Sequence, residues 1–409
     1  MVTTSPALGV YVHWPYCARI CPYCDFNVYR HRGRTDTEAV LVEAILSDLS
    51  AQAALTVGHR LTSIYFGGGT PSLMAPADVD RIINACRALW PASGAVEITL
   101  EANPTDGESG RFEDFAASGV NRLSLGLQSL DDAALQMLGR NHGGGEARMA
   151  AMLARRTFPS LSVDLIYALP GQTVEDWREA LRRSVDALSP DHISPYQLTI
   201  ETGTAFERAV LRGQLSPPEE EACADLFEET QLVLCDMGFE AYEISNHARG
   251  ESARSRHNLS YWRGDAYVGV GPGAHGRLPT AQGWVATEAA LRPVDYVSLV
   301  GRQGFGHAPP TLLSPVERAE ERAIMGLRTT EGVSLDDLAP LKLGLRSDVL
   351  RELIELGLLT HRQHRLIATE SGRRVLNAVT RRLLTENETE DRQAFVSSSP
   401  PRDSKGAAP

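Results

Sequence analysis

For about its first 240 residues the chain alternates short β-branched or apolar runs with longer amphipathic stretches, and this order restricts its possible folds more than any other feature. Such alternation predicts parallel strands joined by crossover helices. The predicted strands are GVYVHW (9–14), LTSIYF (61–66), VEITLE (96–101), RLSLGL (122–127), LSVDLIY (161–167) and HISPYQL (192–198). Helical periodicity occupies 37–55, 75–90, 173–188 and 218–238. Six βα units fit either a barrel or a doubly wound open sheet, and the unusual residues separate the two. A cysteine-rich stretch follows the first strand, GGGTP (67–71) the second, EANP (101–104) the third, QS (128–129) the fourth and LPGQT (169–173) the fifth. The carboxyl ends of parallel strands carry the site in such architectures. A barrel gathers those ends around one mouth, whereas an open sheet spreads them along a line. Taken singly, each loop reads equally well as an ordinary turn; five on one face favour a barrel.

The pattern changes near Ser314. PVERAEERAIMGLRTT, GVSLDDLAP and RSDVLRELIELGLLT each predict a helix, and HRQHRLIATESGRRVL a short polar β-like return. Together they describe a winged-helix-like, α-rich domain. The expected organisation is therefore a partial barrel over 1–240, a barrel-completing or linker segment over 241–313, the winged-helix-like domain over 314–385 and a disordered polar tail over 386–409. Winged helices commonly bind DNA. With a net charge of −12 over 409 residues and acid and base nearly balanced in this domain, packing or partner docking is the better reading, and nucleic acid is not expected as a partner. No apolar run approaches the roughly 20 residues of a membrane span. The N-terminal residues lack the charged and apolar regions of a signal peptide, so the expectation is cytoplasmic.

Residues 16–26 read YCARICPYCDF and place half of the chain's 6 cysteines, Cys17, Cys21 and Cys24, within eight positions. Structural zinc takes four ligands from paired, well-separated clusters, and no second pair exists here. A disulfide set is excluded by the odd number and the reducing compartment. Cys86, Cys223 and Cys235 lie singly in helical stretches, where cysteine is most often a small buried hydrophobe. An iron–sulfur cluster remains, with one iron left open for a further ligand.

The C-x3-C-x2-C spacing with Tyr23 before the last cysteine resembles the signature of the radical S-adenosylmethionine (SAM) enzymes, and FGGGTPS (66–72) resembles their glycine-rich SAM loop. The resemblance implies a radical-SAM-type partial (β/α)6 barrel, with a [4Fe–4S] cluster on Cys17, Cys21 and Cys24 and SAM on its open iron. It assigns SAM contacts to Tyr11, Tyr23, Gly68, Gly69, Thr70, Glu101, Gln128, Arg140 and Asp164. Carboxylates suit ribose hydroxyls and an ammonium, and a guanidinium suits an anionic group. Each also has a structural reading: Glu101 as a helix cap, Asp164 as a turn former, Arg140 as a surface ion pair.

Longer stretches narrow the resemblance. YVHWPYC, PYCDFN, RLSLGLQS, LGRNH, DLIYALPGQT, HISPYQLTIETGT, YEISNHA and HNLSYWRGDAYVGVGPGAH are similar to the oxygen-independent coproporphyrinogen oxidase-like proteins, above all their heme-chaperone branch, over roughly residues 10–375. Departures are small: Trp14 stands where an aliphatic residue is usual, and Ala168 where glycine is usual. The true coproporphyrinogen dehydrogenases carry a further cysteine two positions after the third, where this chain has Phe26, and a longer segment before the cluster than the 16 residues here. Both differences weigh against porphyrinogen decarboxylation, and no residue is assigned a catalytic role. In the heme-chaperone branch the HNxxY motif, here His257 and Tyr261 of HNLSY, is linked to heme, and histidine and tyrosine are both known axial ligands. The residues alone read as readily as a hydrogen-bonded structural histidine. The implied function is to bind heme and pass it to heme-accepting proteins such as respiratory enzymes. A homodimer is compatible with that role, with the cluster gating dimerisation or heme release. The alternative is oxidative decarboxylation through a 5′-deoxyadenosyl radical.

Overall fold

A computed structural model describes residues 5–385 apart from 34, 93 and 344–346. The expected tail over 386–409 lies outside the described residues. The described residues divide into two compact units that part between Ser314 and Pro315.

In the first unit, β1 (Ala7–Trp14), β2 (Arg60–Gly68), β3 (Glu97–Ala102), β4 (Arg122–Gln128), β5 (Ser160–Tyr167) and β6 (His192–Gln197) pair in parallel in that order. Each matches a predicted strand to within two residues. A seventh parallel strand, β7 (Ala266–Val270), joins the free edge of β1. It is followed by the antiparallel β8 (His275–Thr280) and β9 (Gly283–Glu288), and short strands extend both sides to a 12-stranded sheet whose two edges do not pair with each other. Alternation along the strands sets the two faces. Val10, Val12, Ile64, Phe66, Ile98, Leu100, Leu123, Leu125, Val163 and Ile193 are buried against helices. Burying each stabilises the unit by about 1.5–3 kcal/mol. Tyr65, Thr99, Glu101, Ser124, Ser162, Asp164 and Ser194 point the other way and line a cavity of about 500 Å³. Five flat strands would spread such side chains over roughly 19 Å at ~4.8 Å per strand. Their meeting on one cavity requires the sheet to curl, so the architecture is an open, partial barrel.

The crossover helices α1 (Thr35–Ala53), α2 (Pro76–Leu89), α3 (Gly144–Thr157), α4 (Val174–Leu188) and α5 (Glu220–Asp236) pack on the apolar face. The ends of α4 are written locally. Thr173 and Asp176 form a capping box, and Ser189 ends the helix in the left-handed region at φ +44°. Its buried Trp177, Leu181, Ser184, Val185 and Leu188 recur at helical spacing. Cys86 is buried as expected of a lone helical cysteine, whereas Cys223 is half-buried and Cys235 exposed.

The second unit contains α7 (Pro315–Gly326), α8 (Asp348–Glu355), β10 (Leu359–Arg362) and β11 (Arg365–Ala368). The expected middle helix, GVSLDDLAP, is instead the short strand Val333–Ser334 paired to β11, followed by turns and a 3-10 segment at Ala339–Leu341. Nine residues opening on Gly332 at φ +68° and holding Pro340 are too few to nucleate a helix, and β-branched Val333 pairs opposite Leu366. A helix, strand, helix and hairpin remain, the winged-helix arrangement.

Candidate functional site

Two backbone hydrogen bonds tie the glycine loop to the cysteine loop. Gly69 N donates to Trp14 O at 2.7 Å and Thr70 N to Tyr16 O at 2.9 Å. A Cβ on Gly69 would stand 2.7 Å from Tyr16 O, so only glycine permits this approach. Gly68 adopts φ +106°, and a Cβ there would strike the His13 ring. These contacts hold GGGTP against the chain that enters Cys17.

Cys17, Cys21 and Cys24 line the 500 Å³ cavity together with Tyr23, Gly68, Gly69, Thr70, Glu101, Gln128, Arg140 and Asp164. Arg140 is not on the surface. Its guanidinium donates to Cys21 Sγ at 3.4 Å, to Gly126 O at 2.8 Å and to Asn103 Oδ1, while Asn103 donates to Thr70 Oγ1 at 3.1 Å. One side chain therefore links the thiol loop, the β4 end and the loop after β3. Burial pushes the Cys17 thiol up and the Cys24 thiol to about 11. Binding iron at these sulfurs would thus release protons.

No three His, Cys, Asp or Glu side chains among the described residues are gathered as ligands of a single ion. A mononuclear site needs its thiolates within one tetrahedron, whereas a cubane takes one thiolate per iron and leaves them farther apart. Three thiols on one open wall, beside a cation and a glycine-lined backbone, fit a cluster with an adjoining small-molecule ligand.

The cavity also holds two carboxylates. Glu101 ends β3 and accepts from Tyr65 Oη at 2.7 Å; burial, and then the neighbouring Asp164, push it up to about 7. Asp164 lies inside β5. Burial pushes it up to about 6 against the hydrogen bonds of Ser194 and Ser124, the latter at 3.2 Å. Neither is a helix cap or a turn former. Both are thereby raised toward neutrality, and an arriving cation or hydroxyl-rich ligand would favour their ionised form.

Tyr11, His257 and Tyr261 fall elsewhere. Tyr11 and Tyr261 line a second cavity of about 350 Å³, which shares Phe26, Gly68 and Glu101 with the first. His257 lines neither. It sits in α6 (Arg256–Arg263), 3% exposed, stacked on Tyr65 with ring centroids 4.6 Å apart and edge-on to Tyr261 at 4.8 Å. Its Nδ1 meets Ser63 Oγ at 3.2 Å, and burial pushes the imidazole down to about 3, so the ring is neutral. Ser255 caps this helix, and Glu97 of β3 accepts from the Arg256 and His257 amides. A carboxylate at a helix N-terminus favours the macrodipole.

Sequence reading missed Asn103, Ser124 and Ser194, which satisfy Arg140 and Asp164. Their signal was present. Parallel strands buried on both faces are near-continuously apolar, yet these strands alternate apolar with Thr, Ser, Asp and Glu.

With this geometry in place, the chain can be set beside known proteins. The Radical SAM superfamily pattern matches residues 11–183, and that of the HemN C-terminal domain residues 313–375. The chain is 39% identical over 413 aligned residues to the mitochondrial Radical S-adenosyl methionine domain-containing protein 1 of Bos taurus, covering 97% of this chain and 92% of that protein. It is 38% identical over 290 residues to the heme chaperone HemW of Escherichia coli (strain K12), covering 70% of this chain and 74% of that one. Among solved structures, coproporphyrinogen III oxidase (HemN) from Escherichia coli, a radical SAM enzyme, superposes with a TM-score of 0.76 at 21% identity, covering 94% and 91% of the two chains. That last likeness is one of fold.

Proposed function

This chain belongs to the radical SAM superfamily, in the family of the HemW heme chaperones and the mitochondrial Radical S-adenosyl methionine domain-containing protein 1, and on that premise we propose that it binds heme and delivers it to heme-accepting proteins. The observation carrying this reading is the adjacency of the two cavities. Tyr261 of HNLSY opens on a cavity that shares Phe26, Gly68 and Glu101 with the cavity of the three thiols. Cys17, Cys21 and Cys24 would hold a [4Fe–4S] cluster, and Glu101, Asp164 and the GGGTP backbone would hold the polar groups of SAM. Such a cluster, when bound, supplies an electron at low potential to the SAM sulfonium. The chain's own contribution is to orient. Arg140 fixes Cys21 against Asn103, and His257 holds Tyr261 on the wall of the second cavity.

Phe26 supports the chaperone over the dehydrogenase. It is 62% exposed and stands where the dehydrogenases carry a fourth cysteine. An exposed phenyl ring lacks the acid–base or thiol chemistry of that position and offers an apolar face instead.

Anaerobic titration of the cluster-reconstituted protein with heme, followed by absorbance, tests the reading. Saturable binding is expected in the wild type and weaker binding in His257→Ala, followed by transfer to a heme-free acceptor. Absence of heme binding, together with SAM cleavage dependent on a porphyrinogen, would put the dehydrogenase in its place.

A further inference from the structure

An iron porphyrin needs an apolar slot open on one side and an axial ligand whose lone pair is free to face the metal. Hydrogen-bond accounting separates the histidines around the two cavities. His13 accepts from Tyr11 Oη at Nδ1 at 3.0 Å and donates from Nε2 to Asn27 O at 3.0 Å. His192, on the first cavity, is hydrogen-bonded at Nδ1 to Ser162 Oγ and at Nε2 to Tyr242 Oη, both at 2.7 Å. Both rings are fully engaged. His257 lines neither cavity and is packed between Tyr65 and Tyr261. His275 differs from all three. It opens β8 on the wall of the second cavity, its residue is exposed, and its ring makes no hydrogen bond to any described residue.

The same cavity carries the apolar surface that a macrocycle requires. Phe26, 62% exposed, and Leu291, 54% exposed, stand at its edge, and a soluble chain does not ordinarily leave two large apolar side chains open beside one cleft. Its volume of about 350 Å³ falls within the ~300–1,000 Å³ of small-molecule pockets and suits a ligand held by one face with an open side. The first cavity is unsuitable, being walled by Asp164, Ser124 and Ser194 and by the three thiols, none of which lines the second.

We infer that the second cavity is the heme seat and that His275, not His257, presents its imidazole to the heme iron, with Phe26 and Leu291 against the macrocycle. This inference rests on the chaperone reading and deepens it. His257 is then a positioning residue, setting Tyr261 and the wall through its ring contacts.

The test is a ferric heme titration of full-length protein, read by absorbance and electron paramagnetic resonance, on wild type, His275→Ala, His275→Tyr and His257→Ala, with thermal melts confirming folding. Loss of a direct ligand should weaken binding at least as much as loss of an outer-shell partner does, about 10–100-fold, and His275→Ala should also lose the imidazole signature. His275→Tyr should retain binding with a phenolate-type spectrum. His257→Ala should weaken binding while keeping the imidazole signature. If His275→Ala and His275→Tyr both bind with wild-type affinity and spectrum, the inference is overturned and the chaperone reading stands. If the wild type binds no heme, both fall.

Discussion

Arg140 joins parts of the site that lie far apart in sequence, for it reaches the Cys21 sulfur, the Gly126 carbonyl and Asn103 at once. The candidate residues most legible in the sequence were those whose chemistry is concentrated locally. Three thiols in eight positions and a run of three glycines signal themselves, and the structure brings both to one cavity wall. Asn103, Ser124 and Ser194 were not legible, because each comes from a different strand or loop and is common in any chain. His257 was half legible. In HNLSY a histidine suits an iron ligand or a hydrogen-bonded structural residue equally, and nothing local announces that it is 3% exposed with its ring packed between Tyr65 and Tyr261. At this scale the sharpest prediction concerns the thiols. Replacing Cys17, Cys21 or Cys24 by alanine leaves a cluster too few anchors, so iron and sulfide after anaerobic reconstitution should fall to background while far-ultraviolet circular dichroism is unchanged. A variant that kept the full complement of both would remove the cluster from these residues.

Between residue and molecule, strands were easier to read than the short pieces of the second unit. The six predicted strands stand within two residues of their observed ends because β-branched runs bounded by turns carry their own limits. GVSLDDLAP was misread because its Leu and Val spacing also suits a helix, while Gly332 is held at φ +68° by its approach to β11, a contact no local pattern announces. The seventh parallel strand, AYVGV (266–270), was overlooked for a related reason: its partner β1 lies some 250 residues earlier. Helix α4 permits a quantitative test. Thr173→Ala removes the capping box and should cost about 1 kcal/mol. Ser189 holds φ +44° at an exposed position, so Ser189→Gly should stabilise by about 0.5–1 kcal/mol. The sites lie at opposite ends of the helix and share no partner. Urea unfolding of the double variant should therefore match the sum of the single effects to within about 0.5 kcal/mol.

For the whole molecule, the barrel interior sets a balance between opposed titrations. His257 is pushed down to about 3 and His142 to about 4, and His192 well below its usual value, in each case chiefly by burial. These rings are neutral in the folded state and charge on unfolding below about 6.5, so the unfolded chain binds more protons and stability is lost on acidification. Glu101 and Asp164 act in the other direction. Their folded values, about 7 and about 6, lie above the unfolded 4.5 and 3.8, so across that window the folded state binds the extra protons. Their cost is absent in acid and grows as pH rises through those values. Between about pH 4.5 and 6.5 the two sets offset one another, and the two cavity carboxylates thereby temper the acid sensitivity created by the buried histidines. Glu101→Gln removes one side of that balance. Relative to wild type, the variant should gain stability progressively from about pH 4.5 to 7 and level off above, so its own stability falls more steeply on acidification. Urea midpoints measured across this range at constant ionic strength would read the difference directly. A constant offset between the two proteins at every pH would mean that Glu101 ionises alike in the folded and unfolded chains, and that the barrel wall does not hold it protonated.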